Sequence, residues 1–141
     1  MFRRVEITKP VAPGFRISSP FGAENDTPLR DAPHKGVDFA CPVGTPLIAC
    51  LDGTILLQRD HSDGNKAGTR LWLYNYEKDV RIGYFHMSAF LYEKTGHKVM
   101  RGELIGWSGN TGNSSGPHLH LQLESIKTGA LCEPIFIDGD N

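Results

Sequence analysis

The segment Ser115-Gly-Pro-His118-Leu-His120-Leu-Gln-Leu-Glu124 alternates polar and apolar residues from His118 onward, the two-residue period of a β-strand. Successive side chains of a strand leave on opposite faces, so Leu119, Leu121 and Leu123 are expected in a core while His118, His120, Gln122 and Glu124 share the other face. Two imidazoles then point into one space. Taken alone, a His-x-His pair is more often a solvated strand face, so its meaning depends on partners elsewhere in the chain.

Working outward, residues 108–117 form a glycine-containing loop that can bring bare backbone N–H groups close to an extended ligand. Residues 70–76 and 80–86 alternate around Glu77-Lys-Asp79 and read as a hairpin, with Val80, Ile82, Tyr84 and His86 on one side. That leaves His86 at the end of a core-directed face. A further hairpin is expected from 47–51 and 54–58, joined at Asp52-Gly53, and one helical turn over 88–94. In His34-Lys-Gly-Val-Asp38 a helix would align the histidine with the aspartate, but Gly36, Val37 and the nearby Pro42 favour an extended segment. Residues 23–33 and 59–69 are polar loops; His61 and His97 fall in hydrophilic turns and are expected to face solvent. Residues 1–14 read as an irregular lead-in with at most an edge strand at 5–8, and 133–138 as an edge strand because Pro134 lies near its start. About nine short strands with regular turn signals indicate one all-β domain, an antiparallel sandwich or open barrel.

Composition narrows the function classes. At 141 residues and a formal net charge of -1, with no Lys/Arg cluster, the chain has no electrostatic footprint for nucleic acid or an anionic membrane. No apolar run approaches the roughly 20 residues of a membrane span, and Met-Phe-Arg-Arg-Val-Glu-Ile-Thr lacks the apolar core of a secretory signal. Cys41, Cys50 and Cys132 are odd in number and lack Cys-x-x-Cys spacing, so buried free thiols are expected rather than a disulfide framework.

The chain thus offers His34, Asp38, His118 and His120 as side chains that zinc accepts, with His86 a candidate either to support a ligand from behind or to act in catalysis. Three ligands suffice for a catalytic zinc, which keeps one position open for water and lowers its pKa to roughly 7. Spacing leaves open which of His118 and His120 holds the metal.

The ordered set Ile17-Ser-Ser-Pro-Phe-Gly22, His34-Lys-Gly-Val-Asp38, Val43-Gly-Thr-Pro46, Tyr84-Phe-His86-Met, Gly109-Asn-Thr-Gly112 and Gly116-Pro-His-Leu-His120 resembles the lysostaphin/LytM-type zinc metallopeptidases, murein endopeptidases. The resemblance covers roughly 15–137, leaving 138–141 as a tail, and corresponds to the catalytic domain alone. It implies an antiparallel β-sheet fold with a loop-walled groove and one zinc per chain held by His34, Asp38 and His120. His86 and His118 would lie beside the open position and handle the proton. It implies action on peptidoglycan crosslinks or stem peptides, as a monomer, at the extracellular or periplasmic face of the wall. Without a signal peptide, that suits a phage lysin or virion-borne hydrolase, or a trimmed part of a larger exported protein. One departure is visible: the family usually follows the second strand histidine with an aromatic and a glutamate, where this chain has Leu121 and Gln122. Gln122 can still accept a hydrogen bond from a ligand histidine through its carbonyl.

Two other readings compete. A non-catalytic relative of the same fold would bind peptidoglycan without cutting it. A biotinyl/lipoyl-type carrier domain would use Lys78 at its hairpin tip, but leaves the histidines unexplained.

Overall fold

The computed structural model describes residues 2–23 and 33–138. Its regular structure is one short 3-10 turn (His61–Asp63) and eleven strands, in agreement with the all-β expectation. In chain order the strands are β1 (Arg3–Ile7), β2 (Ile17–Ser19), β3 (Val37–Phe39), β4 (Pro46–Ile48), β5 (Gly53–Arg59) and β6 (Thr69–Asn75). They continue with β7 (Val80–Phe90), β8 (His97–Val99), β9 (Leu104–Ser108), β10 (Leu119–Glu124) and β11 (Leu131–Phe136). No helix among the described residues is long and apolar enough to cross a membrane.

β10 is the strand on which the site is assembled. One edge pairs antiparallel with β7, placing His120 opposite Phe85 and Glu124 opposite Arg81. The other edge meets β3 first, with His120 opposite Asp38, and then β11 through Leu123 and Leu131–Cys132. The sheet runs β1-β11-β10-β7-β6-β5-β8, with β2 beside β3 and β9 linking β7 to β4. The β1–β11 pair is parallel.

Leu119, Leu121 and Leu123 are fully buried and share one apolar cluster with Phe39, Tyr84 and Ile7. At about 1.5–3 kcal/mol for each buried leucine, these side chains fix the register of β10, because a one-residue slip would turn its histidines inward. Tyr84 crosses the core with its hydroxyl satisfied: it donates to the Ile48 carbonyl at 2.9 Å and accepts from the Cys50 N–H at 3.0 Å. All three cysteines are buried and free, as expected.

Several local expectations are corrected. The 47–51/54–58 hairpin does not form; β4 pairs with β9, and β5 with β6 and β8. Gly53 is not among the glycines with positive φ, and a Cβ there would come within 2.5 Å of the Tyr74 carbonyl oxygen. The glycine therefore permits a close approach to β6 instead of making a two-residue turn. The helical turn over 88–94 is replaced by the end of β7, where pairing of Ala89 and Phe90 with β9 overrides local preference. β11 is not an edge strand, since β1 flanks it on the side away from β10; Pro134 lies beyond the two-residue overlap with β10. The edge strand near the N-terminus is present as β1, starting two residues earlier than expected. The loop expected over 23–33 lies outside the described residues from 24 to 32.

Candidate metal centre

Three side chains meet where β3 and β10 pair. His34 precedes β3, Asp38 lies within it, and His120 is opposite Asp38 on β10. His34 Nε2 lies 3.2 Å from Asp38 Oδ1 and 3.1 Å from His120 Nδ1, and His120 Nδ1 lies 2.9 Å from Asp38 Oδ1. His34 is 5% exposed, so the cluster sits at the floor of a groove of about 700 Å³. Burial alone would raise the Asp38 pKa, but the His120 and His34 rings beside it, which donate to the carboxylate when protonated, outweigh that cost, and the carboxyl is held well below its usual range.

The partners of each ring determine which nitrogen is available. His34 Nδ1 lies 3.2 Å from the Pro20 carbonyl and 3.0 Å from Ser19 Oγ. A carbonyl only accepts, so Nδ1 carries the hydrogen and Nε2 keeps its lone pair. His120 Nε2 lies 2.9 Å from Gln122 Oε1, which leaves Nδ1 as the free nitrogen of the neutral ring. Two lone pairs and a carboxylate therefore face one another, an arrangement that a proton or a shared cation relieves. Tetrahedral zinc with bonds of about 2.0 Å to nitrogen and oxygen has ligand atoms about 3.3 Å apart. The observed spacings and the N/N/O donor set fit such an ion.

His86 and His118 form a second pair, with ring centroids 4.7 Å apart. On a regular β7, His86 would follow Val80, Ile82 and Tyr84 into the core. Instead its φ is +62°, the left-handed region, and the strand register shifts beside it, so the ring lines the groove while Met87 is buried. Such a conformation costs a non-glycine residue about 1–2 kcal/mol, and strain of this kind concentrates at functional sites. His86 Nδ1 donates to the Thr111 carbonyl at 2.7 Å, and His118 Nδ1 to the Gly116 carbonyl at 2.8 Å; Nε2 is thereby the free nitrogen of each. Burial lowers the His86 pKa to about 4. His118 Nε2 is 4.0 Å from Asp38 Oδ1, outside the tight cluster.

The wall behind His86 is a junction of two loops. The Thr111 hydroxyl donates to the Met87 carbonyl at 2.8 Å and accepts from the Thr69 N–H at 3.0 Å. Gly68 and Gly112, both with positive φ, cross so closely that a Cβ on either would lie 2.5 Å from backbone atoms of the other loop. The Asn113 N–H reaches the Lys66 carbonyl at 2.7 Å, and the His86 N–H the Ala67 carbonyl at 2.8 Å.

Thus the structure brings together all five residues singled out from the sequence, as a three-residue cluster and an adjacent pair. His61 lies away from them at the 3-10 turn, and His97 stacks on Tyr92 with centroids 3.9 Å apart. Sequence reasoning missed Ser19 and Thr111 as partners of the imidazoles, and Phe85, whose ring stacks on His120 at 5.0 Å. Phe85 was visible only as the residue out of phase with the core face of β7. The Thr111 contact is made by a backbone carbonyl and has no side-chain signature.

Residues 32–134 match the family model described as Peptidase family M23. The chain is 42% identical over 116 residues to the peptidoglycan DD-endopeptidase ShyA of Vibrio cholerae, covering 81% of this chain and 26% of that protein. Its fold is similar to a zinc-containing peptidase from Vibrio cholerae, with a TM-score of 0.73 at 33% identity over 92% of this chain and 38% of that one. It is likewise similar to the catalytic domain of lysostaphin from Staphylococcus simulans, with a TM-score of 0.71 at 32% identity over 79% of this chain and 81% of that domain.

Proposed function

This chain belongs to peptidase family M23, and on that footing we propose that it is a zinc-dependent endopeptidase that hydrolyses amide bonds in the peptide part of bacterial peptidoglycan. Membership replaces the carrier-domain reading. The observation that carries the proposal is the convergence of His34 Nε2, Asp38 Oδ1 and His120 Nδ1, all within 4.8 Å of one another, at the floor of an open groove. These three would hold one zinc ion. When bound, the ion supplies Lewis acidity, polarising the amide carbonyl and making water a usable nucleophile near neutral pH.

The remaining chemistry falls to the histidine pair. With Nδ1–H committed to the Thr111 carbonyl, His86 offers Nε2 as an acceptor that orients the attacking water. His118, held in the same tautomer by the Gly116 carbonyl, is 19% exposed at its side chain and sits nearer Asp38. It takes the water proton, donates as an imidazolium to the developing oxyanion, and returns the proton to the departing amine. Ser18, Lys35, Lys66 and Asn113 line the groove around this centre and are placed to contact the flanking peptide.

The site of action proposed is the cell wall, at its extracellular or periplasmic face, with the chain working as a monomer on crosslinks or stem peptides. It spans about a quarter of the length of ShyA, 26%. The test is incubation of purified chain with murein sacculi, followed by mass spectrometry of the muropeptides. New peptide ends should appear, vanish with a strong chelator and return with zinc, and walls with direct crosslinks compared with glycine bridges identify the bond. An unchanged muropeptide profile from a chain that holds one zinc would instead support the non-catalytic, peptidoglycan-binding reading.

A further inference from the structure

The geometry points to Gln122 as a positioning residue that, oriented by Glu124 and Arg81, fixes the tautomer of His120 so that Nδ1 is the nitrogen presented to the metal. This rests on the reading of His120 as a zinc ligand and adds the device that makes it one.

The direction of every hydrogen bond in the relay follows from its far end. Arg81 only donates: its Nε lies 3.1 Å from Glu124 Oε1, and Nη2 contacts the same oxygen. The guanidinium is held in turn by the Tyr74 hydroxyl at 3.1 Å and by the Trp72 ring, 4.5 Å from its centroid. Glu124 Oε2 accepts from Gln122 Nε2 at 2.7 Å. A carboxylate cannot donate, so the amide NH₂ of Gln122 must face Glu124 and its carbonyl oxygen must face His120. That carbonyl cannot donate either, so His120 Nε2, at 2.9 Å, carries the hydrogen. The lone pair is then on Nδ1, beside Asp38 and His34.

Two features make this a relay built into the sheet. His120, Gln122 and Glu124 alternate along one face of β10, and Arg81 stands directly opposite Glu124 on β7. Gln122 is 9% exposed, so water does not readily replace either of its partners. A glutamine has one accepting and one donating end, and it helps a ligand imidazole only if held the right way round. Glu124 does that holding. Partners of this kind typically change metal affinity by about 10–100-fold.

Zinc affinity measured by competition with a chromogenic chelator, together with long-range ¹H–¹⁵N spectra of the zinc-loaded histidines, tests the relay. In the wild-type chain His120 should read as protonated at Nε2 and metal-bound at Nδ1. Gln122→Leu should weaken zinc about 10–100-fold and mix the His120 tautomers. Gln122→Glu sets two carboxylates against each other and should also weaken zinc, whereas the double variant Gln122→Glu/Glu124→Gln restores an acceptor toward His120 and should recover most of the affinity. Glu124→Gln alone, which leaves the Gln122 side chain in place, should give a smaller loss with the same tautomer mixing and covers a Gln122→Leu chain that fails to fold. If the wild-type chain takes up no zinc, the ligand reading itself falls. If it binds zinc and both single losses leave affinity within about twofold and the spectra unchanged, the relay falls alone.

Discussion

The cluster of His34, Asp38 and His120 and the pair His86 and His118 are built from the same residue type but anchored differently. The cluster hangs on strand register: β3 and β10 pair so that Asp38 faces His120, with the His34 ring set by the Pro20 carbonyl and the Ser19 hydroxyl and the His120 ring by the Gln122 side chain. The pair hangs on loops: both rings are oriented by backbone carbonyls, Thr111 and Gly116, and His86 reaches the groove only because its backbone turns left-handed. A sheet register resists small perturbation, because the buried leucines of β10 must all move together. A loop junction does not. Damage to the two regions should therefore separate into loss of metal and loss of turnover.

The largest effect is expected from the cluster. His34→Ala and His120→Ala should abolish zinc binding and reduce murein hydrolysis by roughly 10³-fold or more, the loss of several kcal/mol of charge stabilisation, read by metal analysis alongside product formation. Next, His86→Ala and His118→Ala should retain one zinc per chain and lose about 10²-fold in turnover. A His118 variant that loses zinc while the His120 variant keeps it would break the comparison, exchanging the roles of the two. Third, Gly112→Ala forces a Cβ toward the 66–68 loop at a positive φ; it should keep zinc, lower turnover and reduce thermal stability by about 1–3 kcal/mol. Retained turnover would show that the wall does not govern His86.

The smallest effect lies outside both regions and calibrates them. Burial pushes the Cys50 thiol up to about 12, despite its contact with Tyr84, while an unfolded cysteine titrates near its ordinary value of 9.0. The folded chain then holds the proton more tightly than the unfolded chain. Stability from this source is complete below pH 9 and declines as pH rises toward 12. Tyr84, Cys41 and Cys132 shift in the same direction and share that limb. Denaturant melts across this range should show a shallower decline in Cys50→Ala, with metal and turnover at neutral pH unchanged.

Legibility in the sequence followed locality. The alternation at 118–124 specified β10, its buried face and the common direction of its imidazoles, because side-chain direction along a strand is set by the chain itself. The β6–β7 hairpin was legible for the same reason. The joint at Asp52-Gly53 misled, because the same dipeptide serves a tight turn or a close strand approach, and only the neighbouring Tyr74 carbonyl distinguishes them. The end of β7 misled because pairing with β9, distant in sequence, outweighed local preference.

By itself, the sequence determined an all-β chain carrying five candidate residues, two of them aimed from one strand face. The tertiary structure alone decided which donors converge, which nitrogen each ring leaves free, and that His86 turns out of the core. Those outcomes depend on groups far apart in the chain, the Pro20, Thr111 and Gly116 carbonyls and the Gln122 amide among them. A hydrogen bond selects a tautomer only after folding has brought donor and acceptor to within about 3 Å.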